Sequence, residues 1–174
     1  QARHDWIRGL VLRYERPLLQ FATRLVGHPE TARDIVQDTL LRLWEADRSA
    51  IEDHAAAWLF TVSRNRALDV RKKEGRMHTA NPGPADTTPG PPPPDHHPSL
   101  LDAIETLSEQ QQEVLRLKFQ SGLSYKEIGA VLDLTANHVG VILHHAVKSL
   151  RTQLAPELDA RDRHATPDRE VNPS

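Results

Sequence analysis

Apolar residues in this chain recur at helical spacing and nowhere alternate as a half-buried strand requires. Ile7, Val11, Tyr14, Leu18, Phe21 and Leu25 stand three or four apart and form one stripe. Pro17 interrupts it, and because proline lacks an amide proton and crowds the preceding turn, a kink or break is expected near Arg16. Gly27-His28-Pro29 then closes one segment and opens another. Pro29 suits a first helical position, and Glu30 complements the positive helix end. The second stripe is Val36, Leu40, Leu43 and Trp44, and a third runs through Trp58, Leu59, Val62 and Val70, with Asp53 as its expected cap.

Further on, the punctuation is sharper. Ser108 and Gln111 form a capping box ahead of Val114, Leu115 and Leu117, and Ser121-Gly122 ends that helix. A second box, Ser124-Tyr-Lys-Glu127, starts a short helix that buries Ile128, Val131 and Leu132. Asp133 is the turn residue, since Asp tolerates a left-handed conformation better than most side chains. Thr135 caps a last helix that turns Val139, Ile142, Leu143, Ala146 and Leu150 inward. Two short helices joined by a tight turn are either an ordinary helical hairpin or a helix-turn-helix, whose second helix enters the DNA major groove. The consecutive caps favour the latter.

The expected fold is therefore all-α, two small helical domains at residues 1–76 and 100–154. Between them, residues 77–99 read as a linker, and residues 155–174 as a polar, frayed tail. Pro82 to Pro98 holds eight prolines, a composition that favours extended polyproline II. A docking motif for a proline-binding domain is the sharper alternative.

There is no cysteine, which excludes a disulfide framework, a thiolate zinc site and a cysteine nucleophile. No apolar run reaches membrane-spanning length, so a cytoplasmic location is the expectation. The net charge of −2 hides segregation, because residues 1–76 carry a net +3 while residues 77–106 carry four acids and no Lys or Arg. Local patches set the field a nucleic acid meets. The strongest patch is Arg64-Asn-Arg66 through Arg71-Lys72-Lys73 to Arg76, at the end of the third predicted helix. It reads as a solvated helix terminus or, beside Trp58 and Phe60, as a surface for phosphates and unstacked bases.

Ala32-Arg-Asp34-Ile-Val-Gln37-Asp38-Thr-Leu-Leu-Arg42-Leu-Trp44 resembles the polymerase-binding helix of region 2 in the sigma-70 superfamily. Ala57-Trp58-Leu59-Phe60-Thr-Val62-Ser-Arg64-Asn65-Arg66-Ala67-Leu68-Asp69 resembles the helix that follows it, and Leu107 to Leu150 is similar to region 4. Two such domains on a short linker resemble the extracytoplasmic-function (ECF) group of sigma factors. The resemblance implies a transcription initiation factor, not an enzyme. It has no catalytic residues, cofactor, metal or small-molecule substrate, and its partners are core RNA polymerase, promoter DNA and an anti-sigma factor. It assigns polymerase binding to Asp34, Gln37, Asp38 and Arg42, which the spacing puts on one helix side. It assigns the −10 element to the loop 46–54 and the helix after it, with Trp58, Arg64, Asn65 and Arg66 as candidates for contact and Arg71, Lys72 and Lys73 as phosphate binders. Trp58 reads as a core anchor ahead of a stacking platform, since large aromatics usually anchor small helical cores.

One stretch departs from that pattern. Where the family carries Lys, Arg or Ser early in the recognition helix, this chain has Ala136-Asn137-His138-Val139-Gly140-Val141-Ile142-Leu143-His144-His145. The candidates left for the −35 element are Thr135, Asn137, His138 and Val141, with phosphate affinity from Lys126, Lys148 and Arg151. Val141 and Ile142 are open to three readings: base contact, a protein-binding face, or plain core. His138 and His145 share a face but lie about 10 Å apart along the axis, too far for one metal ion. The rival class is thus a sigma-like interaction protein that binds polymerase or a regulator without reading the −35 element.

Overall fold

The structure is a computed structural model that describes residues 2–79 and 99–164, including the side chains of 2–75 and 99–155. The described residues form helices and turns only.

The first bundle contains α1 (Ala2–Val26), α2 (Pro29–Glu45), the short α3 (Arg48–Ile51), a 3-10 turn at Glu52–His54, and α4 (Ala55–Thr79). Helices α1, α2 and α4 pack against one another in all three pairings. Leu18, Leu43, Leu59 and Phe60 are fully buried between them. The Phe60 ring meets Phe21 edge-on at 5.4 Å and Tyr14 at 6.2 Å, the offset geometry that aromatic quadrupoles favour. The α1 stripe is as read, with Ile7, Tyr14, Leu18 and Phe21 buried and Val11 and Leu25 partly so.

Three local expectations are corrected. Pro17 does not break α1, which runs through it. Interior proline costs a helix about 3 kcal/mol, but Tyr14, Leu18 and Phe21 on both sides are held in the core, which outweighs it. Asp53 is not the cap of α4; it lies within the 3-10 turn, and Asp47 does the capping, accepting from the Ser49 amide at 3.0 Å to start α3. Trp44 is not core but half exposed, at the end of α2, with the His4 ring against its edge.

The second bundle is α5 (Leu100–Glu105), α6 (Glu109–Phe119), α7 (Tyr125–Leu132) and α8 (Ala136–His164). Both expected capping boxes are formed, Ser108 with Gln111 and Ser124 with Glu127, and a third, Ser99 with Asp102, starts α5. Val114, Leu117, Leu123, Ile128 and Val139 form the centre of the core. Asp133 adopts the left-handed conformation, with φ 57°. The turn also depends on Gly129, where a Cβ would sit 2.5 Å from the Leu134 carbonyl oxygen. Only glycine lets the Leu134 amide reach the Gly129 carbonyl at 2.8 Å, closing the turn. The polar tail begins later than expected, because α8 continues past Pro156 to His164. The proline-rich run from Pro82 to Pro98 lies outside the described residues.

Candidate nucleic-acid interface

Helix α2 buries Ile35, Val36 and Leu43 and thereby turns Asp34, Gln37 and Arg42 outward, with Asp38 half-buried beside them. The Asp38 Oδ2 atom lies 3.4 Å from Arg42 Nη2 and 3.7 Å from Arg66 Nε on α4. It accepts no hydrogen bond, so these contacts are held by charge alone. The four residues named from the sequence do share one face. What spacing did not reveal is the apolar groove next to them, between α1 and α2, walled by Val11, Leu12, Leu40, Leu41 and Trp44. Leu12 and Leu41 are more than half exposed, as is Trp44. The available signal was a doublet, Leu40-Leu41, that one helix cannot bury on a single face.

On α4 the aromatic surface read from the sequence is not there. Phe60 is fully buried, and Trp58 is half-buried against the core. The basic residues are exposed to different degrees. Asn65, Arg66, Arg71, Lys72 and Lys73 face solvent, whereas Arg64 is half-buried. Its guanidinium makes a forked contact with Glu113 of α6, Nε donating to Oε1 at 2.8 Å and Nη2 to Oε2 at 3.4 Å. The two side chains are 26% and 15% exposed, so this pair is shielded more than an ordinary surface bridge. Arg71 stands 3.8 Å from Glu109, also on α6. Helix α4 lies against α7 as well. The second bundle thus holds the candidate −10 surface in this conformation. Nearby, Arg116 has its pKa lowered, first by burial and then by Arg24, so the same junction also brings two like charges together. Lys72 and Lys73 carry no ion pair among the described residues. The segment 46–54, expected as a loop, is α3 and the 3-10 turn.

Helix α8 starts at Thr135, whose Oγ1 accepts from the His138 amide at 3.2 Å. Val139, Ile142, Leu143 and Ala146 are buried, which fixes the rotation of the helix. Asn137, His138, Val141 and Lys148 are exposed, and Lys126 is exposed at the start of α7. Ile142 therefore leaves the list of surface candidates and Val141, 48% exposed, stays on it. Neither the groups nor their arrangement suggests bond making or breaking. They offer charge, amide and methyl contacts suited to recognition.

Comparison with known proteins gives a consistent picture. Residues 10–77 match Sigma-70 region 2, and residues 97–150 match Sigma-70, region 4. The ECF RNA polymerase sigma factor SigL of Mycobacterium tuberculosis is 32% identical over 157 residues, covering 85% of this chain and 88% of that protein. The ECF RNA polymerase sigma factor EcfG of Rhodopseudomonas palustris is 33% identical over 132 residues, covering 73% of each. Among solved structures, the sigma factor RpoE of Bartonella quintana, in complex with the anti-sigma factor NepR, superposes with a TM-score of 0.63 at 25% identity, covering 87% of this chain and 97% of that one. The fold is also shared with CnrH, solved with the cytosolic domain of CnrY, at a TM-score of 0.52.

Proposed function

The chain belongs to the sigma-70 superfamily, in its ECF group of RNA polymerase sigma factors, and from that membership we propose a division of labour among its residues. Residues 1–76 bind core polymerase and open the −10 element, and residues 100–154 contact the −35 element. The exposed face of α2, with Asp34, Gln37, Asp38 and Arg42, docks on polymerase. On α4, Arg64, Asn65 and Arg66 contact promoter DNA, with Arg71, Lys72 and Lys73 on phosphates. Trp58 supports that surface from within the core rather than by stacking. On the second domain, Lys126, Thr135, Asn137, His138, Val141 and Lys148 face the −35 element. The protein performs no covalent step itself; polymerase supplies the chemistry, and the work takes place in the cytoplasm, where polymerase is. An anti-sigma factor is a further partner, as in the Bartonella quintana complex.

The observation that carries this reading is that α2 and α4 close one core around Leu43, Leu59 and Phe60, so the proposed polymerase face of α2 and DNA face of α4 belong to one bundle, with Asp38 and Arg66 3.7 Å apart between them. A factor that melts DNA at the polymerase surface needs that continuity. Run-off transcription with core polymerase on genomic fragments tests it. Wild-type chain should direct specific initiation, Asp38→Arg should lose core binding, and Asn65→Ala should keep core binding and lose initiation. Absence of core binding by the wild type would refute the assignment.

One observation favours a second reading for the second domain. Between Asp133 and Lys148 the recognition helix carries no Lys or Arg, and Val141 is exposed. A domain that binds a protein rather than DNA would look like this. Salt titration of holoenzyme on promoters with and without the −35 half separates the two, since phosphate contacts give a negative slope.

A further inference from the structure

Gly140 is the fifth residue of α8, where glycine costs about 1 kcal/mol of helix propensity relative to alanine. Its backbone is helical, so no left-handed conformation calls for glycine. Packing does not call for it either, because a Cβ there would meet the Tyr125 ring at 3.5 Å and 3.7 Å, ordinary contact distances. What the missing methyl leaves is a hollow on the outer face of the helix-turn-helix. Tyr125, Asn137, Gly140 and Val141 line it, with Ala136, His144 and His145 at its edge.

The hollow is apolar at its centre and neutral to basic at its edge. Tyr125 is 41% exposed and Val141 48% exposed. The Lys118 ammonium stands 5.2 Å from the Tyr125 ring centroid and donates to the Leu123 carbonyl, which steadies the tyrosine wall. No acid occurs between Asp133 and Glu157; Lys126 is exposed next to Tyr125 in sequence, and Lys148 and Arg151 are exposed about 12 Å and about 16 Å farther along α8. Asn137 precedes Val141 by four residues, so the two share a face, and Lys148 follows on the same side. This is an uncharged patch on the exposed side of α8, with its bases farther along the helix and at the start of α7.

In the major groove, the thymine 5-methyl is the one apolar group that a base edge presents, and adenine beside it offers the N6 and N7 pair that an amide side chain reads. We infer that the Tyr125–Gly140–Val141 hollow seats a thymine 5-methyl group of the −35 element, with Asn137 reading a neighbouring adenine. This rests on the DNA reading of the second domain given above. It explains how a recognition helix without early Lys or Arg discriminates sequence: by shape and methyl burial, with phosphate charge displaced along the helix to Lys148 and Arg151. Gly140 is then a specificity determinant, and the space it leaves is the binding feature.

The test uses holoenzyme reconstituted with core polymerase on a promoter whose −35 element has been located by footprinting. Each thymine of that element is replaced in turn by deoxyuridine, which removes only the methyl group. One position should weaken binding about fourfold, the value of one buried methyl group, and the others should not. Gly140→Ala fills the hollow while favouring the helix, so this chain should melt no lower than wild type and should bind thymine and uracil promoters equally. Val141→Ala should reduce the discrimination partway. If the −35 region is protected but every thymine tolerates uracil, or if Gly140→Ala still discriminates fully, the hollow is not a methyl site, although the DNA reading stands. If the −35 region is not protected at all, the DNA reading itself fails.

Discussion

Helices α4 and α8 carry the two surfaces proposed to meet DNA, and they are built in opposite ways. Helix α4 is rich in bases, and three of them are paired, Arg64 with Glu113, Arg66 with Asp38 and Arg71 with Glu109. Helix α8 has no Lys or Arg before Lys148, and Asn137, Val141 and Lys148 are exposed on it. The number of positive residues in a segment is therefore a poor guide to the charge it can present. A guanidinium shielded beside a carboxylate must leave it before it meets a phosphate, whereas an exposed methyl or amide is ready as it stands. In the first domain the contact proposed for Arg64 is conditional on rearrangement while Lys72 and Lys73 are exposed, and in the second domain the proposed contact depends on shape.

Buried side chains fill both bundles and α4 packs against α7, and the largest expected effect tests whether the two bundles unfold separately. Phe60→Ala removes the ring shared by Tyr14 and Phe21 and should cost about 3–5 kcal/mol. In calorimetry the loss should fall on the first domain alone; a single transition that moves as a whole would mean the two bundles are one cooperative unit. Next in size is Gly129→Ala, which forces a Cβ into the Leu134 carbonyl and should cost about 1–3 kcal/mol. Thermal melting should show it in the second domain, and −35 protection should go with it while polymerase binding remains.

Charge substitutions sharpen the contrast between the readers. Each phosphate contact contributes about 0.9 to the salt slope of binding. Replacing Lys72 and Lys73 by alanine should flatten the slope of holoenzyme binding by about 1.8, and Lys148→Ala by about 0.9. Equal changes for the two helices would contradict the picture of a charge-driven and a shape-driven reader. The smallest effect belongs to Glu113→Gln. A partly exposed pair is worth about 1 kcal/mol or less, so freeing Arg64 should raise the affinity of the free chain for DNA by no more than about fivefold. Fluorescence energy transfer between dyes on the two domains should report a wider mean separation, and an unchanged distance would show that the Arg64–Glu113 pair does not hold them.

Much of the fold was legible in the residues themselves. Ser108, Ser124 and Thr135 announced their helices because a cap involves groups only three residues apart. Asp133 announced its turn for the same reason. Asp53 misled, because Asp47 is the same residue type a few positions earlier and no local rule chooses between them. Pro17 misled in the other direction, since its local penalty is overridden by packing that the local sequence does not contain. Gly129 passed unnoticed, because its constraint comes from the Leu134 carbonyl on the far side of the turn. Of the candidate site, the shared face of Asp34, Gln37, Asp38 and Arg42 followed from helix geometry, while the apolar groove beside it required two helices at once.

By itself, then, the sequence determined the helical class, the two-domain order, the capping boxes and the helix-turn-helix, and with them membership of the sigma-70 superfamily. All of these depend on interactions within a few residues or on the repeat of one helix turn. Only the tertiary structure decided that Phe60 is core and Val141 surface, that Arg64 is held by a residue 49 positions away, and that Gly140 leaves a hollow under Tyr125. Each of those facts depends on which distant side chain arrives at a given face. That is settled by how the helices pack together, which no single helix encodes.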